Sequence, residues 1–217
     1  VQALKARPRV RSVYNFFVGA GMATAGGAVN PVSVYGIDRS AIGAMTTIEA
    51  GMRFGSLEAL LDEPRGLLMG APLATHLGLL PGDSIALVLS QPGEGGVTPR
   101  LLRFRLAGVF EVGAELDYTL VVVPMAELAE MGLDSLGQVG VRVTVDDPLV
   151  AAGVAASIAR DHPDWSVSSW ADEYGDLFQA VRLEKLMMFL ILLMVVAVAA
   201  FNIVSGQSMA VNDKRAD

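Results

Sequence analysis

The sequence predicts an α+β domain followed by one transmembrane α-helix. Three observations lead to this fold class: a long uncharged apolar run near the C-terminal end, alternating strand-like and helix-like segments before it, and an unusually apolar composition. Of the 217 residues 53% are hydrophobic, and the mean hydropathy is +0.48. This excess is concentrated in the last fifth of the chain, which predicts a membrane segment and not a larger soluble core.

The predicted membrane segment is Leu186–Val211, where 26 consecutive positions carry no charge. With a rise of about 1.5 Å per residue, such a helix is about 39 Å long. The hydrocarbon core of a bilayer is about 30 Å thick, so the run is long enough to cross it with some tilt. A buried core helix is the alternative, but core helices are seldom apolar on every side over this length.

The charges on either side of the run predict its orientation. Lys214 and Arg215 follow it, whereas several carboxylates and the cations Arg182 and Lys185 precede it. Positive charge favours the cytoplasmic side. We therefore expect residues 1 to about 170 outside the cytoplasm and the C-terminal end inside.

The segment that enters the membrane has one apolar helical face. Ser169 is the expected N-cap, with acidic residues in the first turn, and the helix is expected to continue unbroken into the membrane. Its face is formed by five residues at helical spacing, for which we favour packing against the domain over ligand binding: Trp170, Tyr174, Leu177, Phe178 and Val181.

The first half of the domain is predicted to be rich in strands. Val10–Val18 and Ala28–Ile37 form two of them, joined by a glycine-rich connection at Gly19–Gly27, and Arg39–Ala50 is a short helix. Residues 66–123 are expected to form a separate β-rich lobe. Shorter elements complete this part of the domain: strand Gly66–Met69, helix Pro72–Gly78, strand Asp117–Val123 and helix Met125–Met131.

A long hairpin is predicted within that lobe. Strands Ser84–Leu89 and Leu101–Phe110 flank the polar loop Ser90–Arg100, which is too rich in glycine and proline to be ordered alone. The domain is then expected to end in a βαβ layer, with strand Val139–Val145, an amphipathic helix Pro148–His162 and strand Trp165–Ser168.

The sequence offers no catalytic, metal or cofactor site. It has no cysteine. His76 and His162 have no ligand neighbour at useful spacing. Gly93–Gly96 is glycine-rich, but neither a Lys-Ser/Thr pair nor a helix follows it, so it is not a phosphate loop. A net charge of −7 disfavours nucleic acid as a partner. We expect a chain that is not an enzyme and that binds no cofactor.

Four stretches resemble one family of membrane proteins. They are the run from Leu177 to Met188, the Ala-Ala-Phe-Asn-Ile-Val-Ser run that ends at Ser205, the segment Met209–Asp217, and Val109–Val123 with its Glu-Leu-Asp-Tyr sequence. Together they are similar to the LolC/LolE-type lipoprotein-releasing permeases of ABC transporters. The likeness covers nearly the whole chain, and the run ending at Ser205 is its most specific part.

The resemblance implies a place for each segment in a longer protein. Members of the family have four membrane helices. Residues 1–170 would be most of the periplasmic domain, with a porter-like βαβ layer and the β-rich lobe. Residues 171–211 would be the entry helix and second membrane helix, and residues 212–217 would begin the cytoplasmic coupling segment.

The resemblance also implies partners. The permease works with a sister permease or a second copy and with a separate ATPase dimer in the inner membrane. The complex moves acylated lipoproteins from membrane lipid to a periplasmic chaperone. The ATP site would therefore be on another chain.

Three groups of residues are implied as contact sites. The chaperone-facing hairpin would include Gln91, Pro92, Gly93, Val97, Thr98, Pro99 and Arg100. This loop is shorter than in LolC-like members, and with residues 109–126 it is nearer to the LolE-like partner. The acyl-facing surface would include Leu186, Met187, Phe189, Leu190 and Met194. The ATPase-coupling residues would be Lys214 and Arg215.

Other function classes share parts of this pattern. A MacB-like efflux permease and an FtsX-like signalling permease would have the same topology, but the run ending at Ser205 and the Glu-Leu-Asp-Tyr sequence argue against both. A membrane-anchored enzyme would need a nucleophile, a metal or an acid/base pair, and the sequence shows none.

Overall fold

A computed structural model describes residues 2–93, 96–129, 132 and 136–213. The chain forms two compact units, Val1–Asp146 and Asp147–Asp217. The first unit holds all eight strands found in these described ranges. The domain boundaries expected at residues 170 and 211 remain predictions.

The first unit begins with a long hairpin. Strand β1 is Val10–Ala25 and strand β2 is Ala28–Ile37, paired antiparallel from Phe16↔Ile37 to Ala25↔Ala28. Gly26 and Gly27 form the turn with positive φ angles of 56° and 89°, a conformation that glycine adopts at little cost. The prediction of a connection at Gly19–Gly27 was therefore wrong, because most of that stretch is strand.

The other strands join β1 and β2 in one sheet. Its order among the described strands is β2-β7-β4-β6-β5-β1-β8, and β1 also pairs with β2, so that the six strands from β2 to β1 close into a ring. The strands of the predicted β-rich lobe thus share a sheet with β1 and β2. The remaining strands are β3 Met52–Phe54, β4 Gly66–Gly70, β5 Ser84–Gly93, β6 Gly96–Phe110, β7 Leu120–Pro124 and β8 Gln138–Val145.

Alternating residues of the ring pack into two cores. Strand β4 shows this best, since all five of its residues are buried. Leu67 and Met69 belong to the core inside the ring, together with Phe17 and Leu87. Leu68 faces the other way, into a second core. Both faces of β4 are covered, which explains its uninterrupted apolar sequence.

Short helices contribute to both cores. Helix α1 is Gln2–Lys5, α2 is Thr46–Ala50, α3 is Leu57–Asp62, α4 is Ala71–His76 and α5 is Met125–Ala129. Helices α2 and α3 contribute to the second core, and α4 and α5 to the core inside the ring. The predicted helix Arg39–Ala50 is two elements, a 3-10 helix Arg39–Ala44 followed by α2. The sequence reading missed β3 and α3, although Ser56 caps α3 by accepting a hydrogen bond from Ala59 N at 3.1 Å.

The second unit is helical. A 3-10 turn at Pro148–Val150 leads into α6, Ala151–Asp161. Helix α7 is Trp170–Glu173 and α8 is Gly175–Asp213. Ser169 is the N-cap, as predicted, and its N–H and hydroxyl both donate to the Asp172 carboxylate at 2.8 Å. The hydrogen bond from the Ser169 N–H is the main cause that lowers the pKa of Asp172.

Two expectations about this unit were wrong. Trp165–Ser168 is not a strand, because no described strand pairs with it. The entry helix is not continuous, because Tyr174 leaves helical geometry with φ −103° and ψ 16°. The five-residue apolar face spans this break and is exposed. Trp170 nevertheless contacts Phe178 edge to face, with ring centroids 5.4 Å apart, and its indole N–H donates to the Pro148 carbonyl oxygen at 2.9 Å.

An aromatic cluster joins three strands of the first unit. The Arg142 guanidinium of β8 lies 4.8 Å from the ring centroid of Phe16 and 5.5 Å from that of Tyr35. The buried Tyr35 hydroxyl has no partner of normal hydrogen-bond geometry among the described residues. Burial raises its pKa to about 12, opposed by the Arg142 charge and assisted by the nearby Tyr14 hydroxyl.

We expect Tyr35 to make folding sensitive to alkali. Its folded-state pKa lies above the unfolded value of about 10, so its contribution is complete below pH 10 and is lost as the pH rises toward 12. Denaturant titrations at pH 9, 10, 11 and 12 should show a smaller fall in unfolding free energy for Tyr35→Phe than for the parent chain. The exposed Tyr118→Phe is the control, and equal slopes for all three proteins would contradict the expectation.

Candidate functional site

The hairpin of β5 and β6 extends beyond the sheet. Strand β5 pairs with β1 only from Ala86 to Leu89. From Ser90 to Gly93 it pairs with β6 alone among the described strands, ending at Gly93↔Gly96. Four residues at about 3.4 Å each give a two-stranded projection roughly 14 Å long.

Six of the seven residues assigned to chaperone contact lie on this projection, and the seventh, Arg100, pairs with Leu89 at its base. The structure brings Gln91, Pro92, Gly93, Val97, Thr98, Pro99 and Arg100 together as paired positions of β5 and β6. The segment predicted as an unordered loop is therefore mostly strand. Proline has no N–H to donate to a neighbouring strand and is tolerated at a sheet edge. Pro92 and Pro99 fit a hairpin whose outer edges meet no other described strand.

An exposed apolar row lies at the base of the projection. Each of four neighbouring strands contributes one residue to this row: Pro31 of β2, Met22 of β1, Val88 of β5 and Leu101 of β6. Each residue lies directly opposite the next, so their side chains share the outer face of the ring. Met22 is 51% exposed and Leu101 is 61% exposed. Sequence reasoning missed this row because its members come from four strands, and only the pairing register brings them together.

The Glu-Leu-Asp-Tyr sequence has a structural role at Asp117. Its carboxylate is 2% exposed and accepts hydrogen bonds from the backbone N–H groups of Val112, Gly113 and Ala114 at 2.8 to 3.3 Å. These bonds hold the turn between β6 and β7.

The predicted acyl-facing residues lie on α8. An α-helix turns about 100° for each residue, so four of these residues fall within an arc of about 100° around the helix axis: Leu186, Met187, Leu190 and Met194. Phe189 lies about 60° beyond that arc. All five are between 49% and 69% exposed. Since their neighbours on every side of α8 are equally exposed, no contact selects this arc, and the assignment remains a prediction.

Helix α8 is long and apolar enough to cross a membrane. The segment Leu177–Val204 has 28 residues; its most apolar 18-residue stretch has a mean hydropathy of 2.8, and none of that stretch is buried. The predicted coupling residues Lys214 and Arg215 lie outside the described residues. Among those that are described, no cluster of His, Asp and Glu could hold a metal ion.

Relatives of the chain are named as transmembrane proteins of lipoprotein-releasing systems. It is 35% identical over 192 residues to the lipoprotein-releasing system transmembrane protein LolC of Xylella fastidiosa (strain Temecula1), covering 86% of this chain and 46% of that protein. It is 25% identical over 218 residues to the protein LolE of Haemophilus influenzae, covering 99% and 52%. The chain thus spans about half the length of the curated relatives it matches. No family model matches it.

Overall identity is thus higher to this LolC than to this LolE, and the expectation that the hairpin is nearer to the LolE-like type stays a prediction. Among solved structures, the periplasmic region of MacB from Actinobacillus actinomycetemcomitans has a TM-score of 0.50 and 13% identity, covering 82% of this chain and 80% of that one. This likeness concerns the fold alone. By its sequence, the chain is a homologue of the LolC/LolE transmembrane proteins of lipoprotein-releasing systems.

Proposed function

We propose that the chain is part of a permease subunit that extracts acylated lipoproteins from the inner membrane and passes them to a periplasmic chaperone. The observation that carries this proposal is the 35% identity to LolC over 86% of the chain. Its partners are a sister permease or a second copy, a separate ATPase dimer that hydrolyses ATP, the lipoproteins and the chaperone. Residues 1–170 are periplasmic and the C-terminal end is cytoplasmic.

The energetics of lipid extraction support an ATP-driven complex. Moving an acyl chain out of lipid costs about 0.8 kcal/mol for each CH₂ group, so a protein with several such chains does not leave the membrane unaided. An apolar surface on the permease lowers this cost. The exposed methionines Met187 and Met194 suit such a surface, because unbranched side chains adapt to different apolar partners.

The function is tested by transfer in reconstituted vesicles. The full-length protein, its partner permease and its ATPase are placed in proteoliposomes with a fluorescent acylated lipoprotein and soluble chaperone. ATP should move the lipoprotein to the chaperone, whereas a hydrolysis-deficient ATPase should not. ATP hydrolysis without transfer would overturn lipoprotein release in favour of another permease function.

The hairpin and the apolar row at its base form the proposed chaperone surface. The projection supplies main-chain and proline contacts, and Met22, Val88 and Leu101 supply apolar area beside it. Pro99 lies two residues from Leu101 in β6 and therefore on the same face. A partner that binds here can cover both parts at once.

We expect Leu101→Asp to weaken chaperone capture at least tenfold, because a carboxylate replaces apolar area at the centre of the surface. Leu80→Asp is the matched control, since Leu80 is 71% exposed and lies in a turn outside the row. Capture by immobilised chaperone is measured for the parent and both variants. Equal capture of the parent and of Leu101→Asp would show that the chaperone does not bind at this surface. Lipoprotein release itself would still be tested separately by the transfer assay.

A further inference from the structure

A cluster of basic residues lies at the beginning of β1. Lys5, Arg7, Arg9 and Arg11 are four cations within seven positions, and no acidic residue lies among them. The whole chain, by contrast, has a net charge of −7. The side chains of Lys5, Arg9 and Arg11 are exposed. Positive charge concentrated in this way attracts anions to this part of the first unit.

A half-open pocket with a volume of about 290 Å³ lies beside the cluster. This volume is close to the lower end of the range for small-molecule sites, which is about 300 to 1,000 Å³. Strand β1 contributes Arg11 and Ser12 to the wall, helix α1 contributes Lys5, and the 3-10 helix contributes Ser40. The wall therefore combines two cations with two hydroxyl groups, which are the side-chain groups that bind anions.

A bulge in β1 explains how two adjacent residues line one pocket. Consecutive side chains of a regular strand point to opposite faces of the sheet. The register between β1 and β8 shifts by one residue between Val10 and Ser12. Arg11 is therefore an extra residue without a partner on β8, and a bulge of this kind redirects the side chains beside it. Arg11 and Ser12 can thus both contribute to the pocket wall.

Three donor groups of the wall are available to a ligand. Among the described residues, the side chains of Lys5, Arg11 and Ser12 form no hydrogen bond or ion pair with one another or with any other residue. A lysine ammonium has three N–H donors, an arginine guanidinium has five, and a serine hydroxyl has one O–H donor. An anion that has several oxygen atoms can accept hydrogen bonds from all three groups at once.

The Asp38 carboxylate lies near the pocket but does not neutralise it. It accepts hydrogen bonds from the Ser40 N–H at 2.8 Å, from the Ser40 hydroxyl and from the Asn15 side-chain amide at 2.7 Å. Burial tends to raise the pKa of Asp38, but these hydrogen bonds and the Lys5 charge lower it overall. One carboxylate thus stands against the two cations Lys5 and Arg11, and the pocket keeps a net positive charge.

We propose that this pocket binds a phosphate monoester, with Lys5, Arg11 and Ser12 as the groups that hold the phosphate. A phosphate monoester has three strong acceptor oxygens, one for each of these donor groups, whereas a carboxylate has two. The rest of the pocket has room for the small polar group next to the phosphate. The same chemistry is offered by a soluble sugar or glycerol phosphate and by the headgroup of phosphatidic acid.

Calorimetric titration of the full-length protein in a non-ionic detergent tests this proposal. Glycerol phosphate and short-chain phosphatidic acid are the two probes, and acetate, glycerol and short-chain diacylglycerol are the controls that lack a phosphate. At least one phosphate probe should bind with a Kd of about 1 mM or lower, and the controls should bind at least about tenfold more weakly. A Kd at least about tenfold lower for phosphatidic acid identifies a lipid ligand, and similar values identify the phosphate group itself.

Three variants separate the pocket from the general charge of the cluster. Lys5→Gln and Arg11→Gln should each raise the Kd at least about tenfold, because each removes charge-assisted hydrogen bonds to the phosphate. Arg9→Gln is the matched control, since it removes the same charge from the same stretch but Arg9 does not line the pocket. Its Kd should stay close to that of the parent. Circular dichroism checks that all three variants are folded.

Two results would overturn the proposal. If neither phosphate probe binds more tightly than the controls, the pocket is not a phosphate site. If Arg9→Gln weakens binding as much as Arg11→Gln does, the affinity comes from the overall positive charge of the cluster and not from this pocket.

Discussion

Replacing Gly70 by alanine should destabilise the first unit by about 3 kcal/mol or more. Gly70 ends β4, and a Cβ atom there would overlap the Asp117 carbonyl oxygen and lie 2.6 Å from both the carbonyl carbon and the Cα of Asp117. These are backbone atoms, so no side-chain rotation relieves the overlap. The turn that would have to move is the one that the Asp117 carboxylate holds in place.

The measurement is thermal unfolding of the full-length protein in detergent, followed by circular dichroism. Gly70→Ala should lower the melting temperature by roughly 10 °C, or prevent folding. Gly43→Ala is the control, because no atom lies within 4 Å of a Cβ built there. Similar melting temperatures for the two variants would show that the Gly70 backbone is freer to move than its packing indicates.

Placing arginine at Val198 should weaken membrane insertion of α8. Val198 lies near the middle of the uncharged run, and a charged side chain at the centre of a membrane helix costs roughly 2.5 to 3.5 kcal/mol. No acidic residue lies between Leu186 and Val211 to pair with it. The cost therefore remains uncompensated within this helix.

Insertion is measured as resistance of the protein to alkaline extraction from membranes. In the 217-residue chain, a larger fraction of Val198→Arg than of Val198→Leu should appear in the soluble or aggregated fraction. Leu177→Arg, at the beginning of the apolar segment, should be retained in the membrane like Val198→Leu, because arginine there reaches the interface. Equal retention of Val198→Arg and Val198→Leu would contradict insertion of α8 through its uncharged run.

The sequence-based predictions were most accurate for features that a local sequence pattern determines. Strand β2 and the N-cap at Ser169 were predicted as found, and the apolar run was confirmed as a helix of spanning length. Charge and hydropathy mark such features within a few residues, with no need for distant contacts.

The errors came from contacts between distant parts of the chain. Gly19 and Gly21 suggested a connection, because glycine is uncommon in strands. The ladder to β2 and the ladder to β5 nevertheless hold this stretch extended. Trp165–Ser168 has the sequence of a strand but no described partner. The apolar row around Met22 depends on a register across four strands that no local pattern contains.

The position of β4 has a consequence for biosynthesis. Its two neighbours, β6 and β7, both follow it in the chain, and the last of them ends at Pro124. At 5 to 20 residues per second, β4 emerges roughly 3 to 10 s before it can be fully paired. During that interval both edges of this apolar strand lack their partners, which makes the nascent chain vulnerable to aggregation while residues 71–124 are being made.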